Sequence, residues 1–480
     1  MLLLHFTGLC FIFVIGKTFG KLRPDHNLMQ DLQPIQIKIY EIRGRRAMRA
    51  AILAIMLLLA PLAAVAQTGT WSGTIEVQGI KLPLVFHIDG ENSTADSPDQ
   101  GVKGIPARAE WTDGGLLVVS IPSIGAEYRG LFAGRWIAGT FTQRGVSFPM
   151  TLVPGEQKRN RPQTPQPPLP YAQEEVAFSN GEAVLRGTLT LPAEYTRQTP
   201  VLLMVTGSGL QNRDEEIFEN KPFAVIADAL ARAGIATLRY DDRGFGDSSG
   251  DAVNCTTEDL KNDALAGVGL LRERFDRVGV IGHSEGGTIA MMLAAEQQAD
   301  FIVSLAGMAV SGTETLLWQN REFMTAAGYP ARTVEVYCEL LAEAFGAAVR
   351  GEAPPPAENT ALPDELIRNY EGGVRQLQIP YMRYFLALDM RPRLGAITCP
   401  VLALNGTRDT QVFCDTNLEA IRTGLPLNEA NRTEAAEGLN HLFQHCTTGA
   451  VSEYGDIEET FAPEVLERIV RWLKGLRFAD

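Results

Sequence analysis

Three side chains in this sequence have the types and the spacing to activate a hydroxyl toward a carbonyl carbon. The first is Ser284, at the centre of Gly282-His283-Ser284-Glu285-Gly286-Gly287. A serine hydroxyl is a weak nucleophile until a base takes its proton, so the chain must also supply an imidazole and a group to orient it. Of the six histidines, His5 and His26 lie near the start, His87 lies among short alternating segments, and His283 adjoins Ser284 and faces away from it. His441 and His445 remain. His441 is preferred because it follows Glu437-Gly438-Leu439-Asn440, a glycine-containing loop able to swing over a sheet edge, whereas His445 sits a helical turn further on. The acid is expected between Ser284 and the histidine, in the order Ser, Asp or Glu, His. Asp409 closes Pro400-Val401-Leu402-Ala403-Leu404-Asn405-Gly406-Thr407-Arg408-Asp409, a buried strand running into a turn, and Asp415 is the alternative. A buried carboxylate there would fix the imidazole tautomer and stabilise the imidazolium formed when Ser284 loses its proton.

Such a constellation needs a rigid frame. Val278-Gly279-Val280-Ile281 is a β-branched run, and Thr288-Ile289-Ala290 after the glycines begins a helical pattern, so Ser284 is predicted on a sharp strand-to-helix corner. The corner brings its own donor for an oxyanion, the N–H of Glu285. A second is expected from the turn Thr206-Gly207-Ser208-Gly209, where Ser208 N–H is preferred and Gly207 and Gly209 are alternatives. That turn follows Val201-Leu202-Leu203-Met204-Val205, a continuous apolar run of the kind buried on both faces of a parallel sheet. Helix over 223–233, strand over 235–240 and helix over 257–275 then lead to the elbow strand. The alternation predicts an α/β domain with a doubly wound, mostly parallel sheet. It stops between 311 and 393, where Trp318, Phe323, Tyr337, Phe345, Tyr381, Tyr384 and Phe385 punctuate a helical segment read as a cap. Most of these aromatics are expected in the cap's own core and a few along an apolar acyl pocket.

The chain of 480 residues is long for one domain. Residues 1–66 read as a leader. Arg45, Arg46 and Arg49 precede an apolar run over 50–59, then Pro61 and Ala64-Val65-Ala66 before Gln67, the pattern of a signal peptide starting at Met48 behind an upstream extension, 1–47. Export to the periplasm or the exterior is therefore expected, with no stable membrane span after cleavage. Residues 67–155 form short alternating runs, at 71–77, 82–88, 116–121, 136–142 and 148–153, that predict a small all-β sheet or barrel. Residues 156–170, with Pro162, Pro165, Pro167, Pro168 and Pro170, read as a semi-rigid extended linker to the catalytic part, 171–480. The net charge of −14 becomes −19 without the leader, which holds eight of the 43 basic and three of the 57 acidic residues, so nucleic acid and anionic lipid are unfavoured partners. With neither C-x-x-C nor H-E-x-x-H, no metal or other cofactor is implied. Cys414 and Cys446 lie equally far beyond Asp409 and His441 and are a candidate disulfide, since an exported chain meets an oxidising compartment.

Five segments together resemble the α/β-hydrolase superfamily, and within it exported bacterial esterase-like, serine aminopeptidase-like hydrolases with an N-terminal β domain. They are Thr206-Gly207-Ser208-Gly209-Leu210-Gln211-Asn212-Arg213-Asp214-Glu215, Leu238-Arg239-Tyr240-Asp241-Asp242-Arg243-Gly244-Phe245-Gly246, the elbow, Asn405-Gly406-Thr407-Arg408-Asp409 and Gly438-Leu439-Asn440-His441-Leu442-Phe443-Gln444. The family usually has His where this chain has Thr206, and Pro where it has Leu210. Backbone donation survives both changes. The resemblance implies a small ester or acyl substrate and hydrolysis of a carboxylic ester through an acyl-enzyme on Ser284. A peptidase, thioesterase or acyltransferase on the same three residues is the alternative, and the complete set disfavours a non-catalytic binding protein.

Overall fold

The computed structural model describes residues 68–476 apart from 78, 79, 101, 113 and 359. The expected leader, with its cleavage pattern, lies outside the described residues. The first unit is one antiparallel sheet of nine strands: β1 Gly69–Val77, β2 Ile80–Ile88, β3 Thr94–Ser97, β4 Val102–Pro106, β5 Arg108–Trp111, β6 Leu116–Ile121, β7 Ala126–Phe132, β8 Ile137–Gln143 and β9 Val146–Pro154. Their order is β4-β3-β2-β1-β9-β8-β7-β6-β5. Strict alternation in β6, where Leu117, Val119 and Ile121 are buried and their neighbours half-buried, gives the sheet one core face. Trp71, Ile75, Phe86, Tyr128, Phe141 and Leu152 fill that core. The hydroxyl of Tyr128 is satisfied inside it by the carbonyl of Ile137, at 2.8 Å.

The second unit is built on an eight-stranded sheet. A hairpin, β10 Ala172–Asn180 and β11 Ala183–Leu191, leads into β12 Val201–Val205, α1 Pro222–Arg232, β13 Ala236–Tyr240, α2 Thr257–Arg272, β14 Val278–His283, α3 Glu285–Ala295 and β15 Ile302–Leu305. After a helical insertion come β16 Val401–Gly406, α9 Cys414–Gly424, β17 Arg432–Ala436 and α10 Pro463–Gly475. The order is β10-β11-β13-β12-β14-β15-β16-β17, parallel from β13 onward and antiparallel at the hairpin. All five residues of β12 are buried. Val201, Leu203 and Val205 pack into the layer holding α2 and α3, while Leu202 and Met204 pack into the layer of α1 and α10. A period of two on a strand without polar positions is what sandwiches it between helices. The chain winds one way from β12 to β13 and the other way from β14 to β17, so the carboxyl ends of β12 and β14 flank a switch in direction, where open α/β sheets bind their ligands.

The insertion between β15 and β16 consists of α4 Gly312–Ala326, α5 Ala331–Arg350, α6 Asp364–Val374, α7 Pro380–Ala387 and α8 Arg391–Leu394. Tyr337, Phe345, Phe385 and Met382 belong to a core of its own. Its two ends meet at a neck, where Gly312 N–H donates to Leu388 O at 3.1 Å and Met390 N–H to Ala309 O at 3.1 Å. Among the described residues no helix is long and apolar enough to cross a membrane.

One expectation needs correction. Cys414 and Cys446 are free thiols. Cys414, turned inward at the start of α9, donates to Asn405 O, and Cys446 donates to Gly438 O. Equal offsets in sequence do not make equal directions, because one follows a helix start and the other a loop. Within the proline-rich segment, Arg159, Arg161 and Gln163 are bonded to loops of the second unit.

Candidate active site

Ser284 stands between β14 and α3 with φ 55° and ψ −119°, a conformation costly for a residue with a Cβ. The corner can be this tight only because its flanking glycines carry no side chain. A Cβ on Gly282 would lie 2.0 Å from Gly286 O, and one on Gly286 would lie 2.0 Å from Val205 O. The turn after β12 passes close to the serine, so that a Cβ on Gly207 would sit 3.1 Å from the Ser284 Cβ.

Asp409 and His441 follow the adjacent parallel strands β16 and β17, whose carboxyl ends bring them together. His441 Nδ1 donates to Asp409 Oδ2 at 2.7 Å, with both side chains buried. The other carboxylate oxygen accepts from the backbone N–H of Gln411 at 2.7 Å and of Val412 at 2.9 Å. The histidine loop is closed by Asn440, whose Oδ1 accepts from Leu442 N–H and Gln444 N–H. The alternatives lie elsewhere. His445 is 57% exposed and pairs with Glu459 and Glu464, and Asp415 is an exposed residue of α9.

The two expected oxyanion donors are tied to each other by their side chains. Ser208 Oγ donates to Glu285 Oε2 at 2.6 Å, and the same oxygen accepts from Tyr381 of α7 at 2.6 Å. Thr257 Oγ1 donates to Glu285 Oε1 at 2.6 Å. Burial pushes the Glu285 carboxyl above its usual range, and the three hydroxyls act against that rise. Gly207 N–H is committed to Glu215 Oε1 at 2.8 Å, whereas Ser208 N–H has no partner among the described residues. Glu285 N–H, at the first position of α3, has no intrahelical acceptor. Thr206, at the position where histidine was expected from the resemblance, donates its hydroxyl to Asp242 at 2.9 Å and anchors the turn.

Sequence reasoning missed two residues here. His283 does point away from the serine, but its ring bridges two catalytic-side loops: Nδ1 meets Glu215 Oε1 at 2.9 Å and Nε2 meets His441 O at 2.8 Å. The His441 carbonyl can only accept, so Nε2 donates to it, and Nδ1 faces the Glu215 carboxyl. Burial lowers its pKa, and the Glu215 carboxylate more than offsets this, leaving it raised. Glu215 lies on a loop without periodicity, and no pattern could have joined it to His283. Among the described residues no group of three or more His, Cys, Asp or Glu could hold a metal ion.

This arrangement can be set beside known proteins. A model of the alpha/beta hydrolase family matches residues 202–451, which span β12, the elbow, the insertion, Asp409 and His441. The chain belongs to the alpha/beta hydrolase family. Esterase EstD of Thermotoga maritima is 29% identical over 300 residues, an overlap covering 60% of this chain and 65% of EstD, short of two thirds of that protein's length. Among solved structures, the Pyrococcus furiosus esterase Pf2001 is 17% identical with a TM-score of 0.40, covering 67% of this chain and 98% of that one. Est1E of Butyrivibrio proteoclasticus with bound ferulic acid is 17% identical with a TM-score of 0.39, covering 62% and 98%.

Proposed function

We propose that this alpha/beta hydrolase cleaves carboxylic esters of small molecules through an acyl-enzyme on Ser284. The observation that carries the reading is the buried Asp409–His441 hydrogen bond, together with a serine on a left-handed corner whose neighbour His283 lies with its ring centroid 4.6 Å from that of His441. In the proposed reaction His441 Nε2 takes the Ser284 proton as Oγ attacks the ester carbonyl. Asp409 holds the proton on Nδ1, so that the other nitrogen is free to accept. Ser208 N–H and Glu285 N–H receive the oxyanion. His441 then protonates the leaving alcohol, and water activated by the same imidazole releases the acid. The esterase name of the sequence relative EstD supports an ester over an amide as substrate.

The test is a panel of p-nitrophenyl esters, aminoacyl amides and acyl thioesters, with fluorophosphonate labelling as a measure of Ser284 reactivity. Ester turnover should exceed the other two classes and disappear together with the label in Ser284→Ala. Faster amide or thioester turnover would move the assignment to a peptidase or thioesterase, and an unlabelled wild-type protein would remove the catalytic reading. Export belongs to the same proposal, resting on the basic, apolar and Ala64-Val65-Ala66 succession. Sequencing of the mature N-terminus should begin at Gln67, and an intact leader on exported protein would contradict it.

A further inference from the structure

The loop carrying Glu215 is strained at three places. Glu215 (φ 53°), Phe218 (φ 51°) and Glu219 (φ 60°) all occupy the left-handed region, which non-glycine residues hold only when their surroundings over-determine it. Those surroundings come largely from outside the sheet that bears Ser284. Phe218 N–H donates to the carbonyl of Asp99, between β3 and β4 of the first unit, at 3.0 Å. The Asp99 side chain, with no exposed surface, is ion-paired to Arg159 of the connecting segment. Arg159 N–H reaches Glu219 Oε2 at 2.9 Å, and its guanidinium lies over the Phe218 ring. Arg161 Nη2 donates to Phe218 O at 2.7 Å and to Gly455 O at 2.9 Å, so one side chain holds this loop and the loop beyond His441. The Phe218 ring packs with Leu442, the residue after His441, and edge-on against Tyr454.

What the loop delivers is a single carboxylate oxygen. Glu215 Oε1 holds Gly207 N–H in the oxyanion turn and His283 Nδ1, and His283 holds the carbonyl of His441. We infer that Asp99, Arg159 and Arg161 are positioning residues for the reaction: the N-terminal β unit and its connecting strap clamp the 212–220 loop so that Glu215 fixes both the oxyanion turn and the His441 loop. This rests on the reading of Ser284, His441 and Ser208 given above. It assigns the β unit a part in the rate, although that unit contributes no group to the reacting atoms.

The experiment uses the full chain with Arg161→Ala, Asp99→Asn, Glu215→Gln and the double variant Arg161→Ala/Glu215→Gln. Three quantities are read: hydrogen exchange in peptides covering 205–220 and 438–446, the stoichiometry and rate of fluorophosphonate labelling, and kcat and KM on p-nitrophenyl acetate. Each strap variant should exchange faster in both segments and label to full stoichiometry at a lower rate. It should also lose about 10- to 100-fold in kcat, with KM within about twofold, as small misplacements of catalytic groups do. Adding Arg161→Ala to Glu215→Gln should cost little more, since both act through one element. Unchanged exchange with kcat within about twofold of wild type would overturn the inference. So would additive losses, or a fall in labelling stoichiometry that matches the fall in kcat, which would mean only fewer folded molecules. Should Arg161→Ala not fold, Asp99→Asn, which keeps the backbone carbonyl, decides. A wild-type protein that neither labels nor turns over would defeat the functional reading, and the exchange measurement would still judge the clamp on its own.

Discussion

Replacing Asp409 by asparagine tests the candidate site at its most constrained atom. The carboxylate has acceptors on both sides: Oδ1 serves Gln411 N–H and Val412 N–H, and Oδ2 serves His441 Nδ1. Asparagine has one acceptor and one donor end. With its oxygen toward the two backbone amides, its NH2 faces His441 Nδ1 and forces the ring proton to Nε2, leaving no lone pair for the Ser284 proton. With the amide reversed, two buried N–H groups lose their acceptor, at roughly 1 to 3 kcal/mol each. The productive orientation is therefore disfavoured by about 2 to 6 kcal/mol, and at 1.36 kcal/mol per decade its population falls by about 30-fold to about 26,000-fold. The upper end meets the loss of about 10,000-fold known for this exchange at a Ser-His-Asp site. The assay is kcat/KM on p-nitrophenyl acetate beside a thermal melt, since the substitution is nearly isosteric. A folded Asp409→Asn protein keeping a third or more of wild-type turnover would refute the reasoning. The exposed Asp415→Asn should behave as wild type.

Ser284→Ala should lose labelling and turnover while melting like the wild type, His441→Ala should lose most turnover, and His445→Ala, at a solvated site, should stay within about twofold; the reverse pattern for the two histidines would move the base to His445. Gly286→Ala drives a methyl into the Val205 carbonyl and should destabilise by at least about 2 kcal/mol, so a wild-type denaturant midpoint would mean the elbow yields more readily than its packing implies. Stability should also respond to pH through Asp99, whose carboxyl burial pushes up to about 6 against the opposing Arg159. Below the ordinary value of 3.8 this contribution is fully present, and it is lost as pH rises through about 6 because the unfolded chain gives up its proton first. The loss is about 3 kcal/mol in full, with Arg161 and Glu219 as the other charges facing the group. Denaturant melts from pH 4 to pH 7 should show a slope that Asp99→Asn flattens, and an equal slope in both proteins would assign it elsewhere.

Much of the catalytic frame could be read from the sequence because it is carried by local patterns. A run such as 201–205 without a polar residue announces a strand covered on both faces, and the elbow motif fixes where the next strand ends. Asp409 was preferred to Asp415 by its place just past such a strand, and the structure bonds it to His441. What stayed hidden depends on contacts between distant segments. Strand β3 is short and polar, with Asp96 accepting from His87 and from Gly104 N–H, so it reads as a loop. The proline-rich stretch was legible as extended backbone, but composition cannot say which carbonyls Arg161 will find. Likewise His283 reads only as the residue opposite Ser284 until the loop bearing Glu215 is folded against it.

The neck of the helical insertion has a bearing on how such a fold can diversify. Both ends of the insertion leave the sheet at one place, sealed by the two hydrogen bonds of Gly312 and Met390, and its interior is filled mostly by its own side chains, with Met308 and Val412 packed in from the sheet side. A segment hung in this way can lengthen, shorten or be exchanged for another while β15 and β16 keep their register. Such a replacement would have to restore at least two ties at the site, the hydroxyl that Tyr381 offers to Glu285 and the amide that Gln319 offers to the carbonyl of Gln411, beside Asp409. Inheritance can thus act on the insertion and on the sheet at different rates, the first free to drift in shape and the second held by the geometry of a single strained corner.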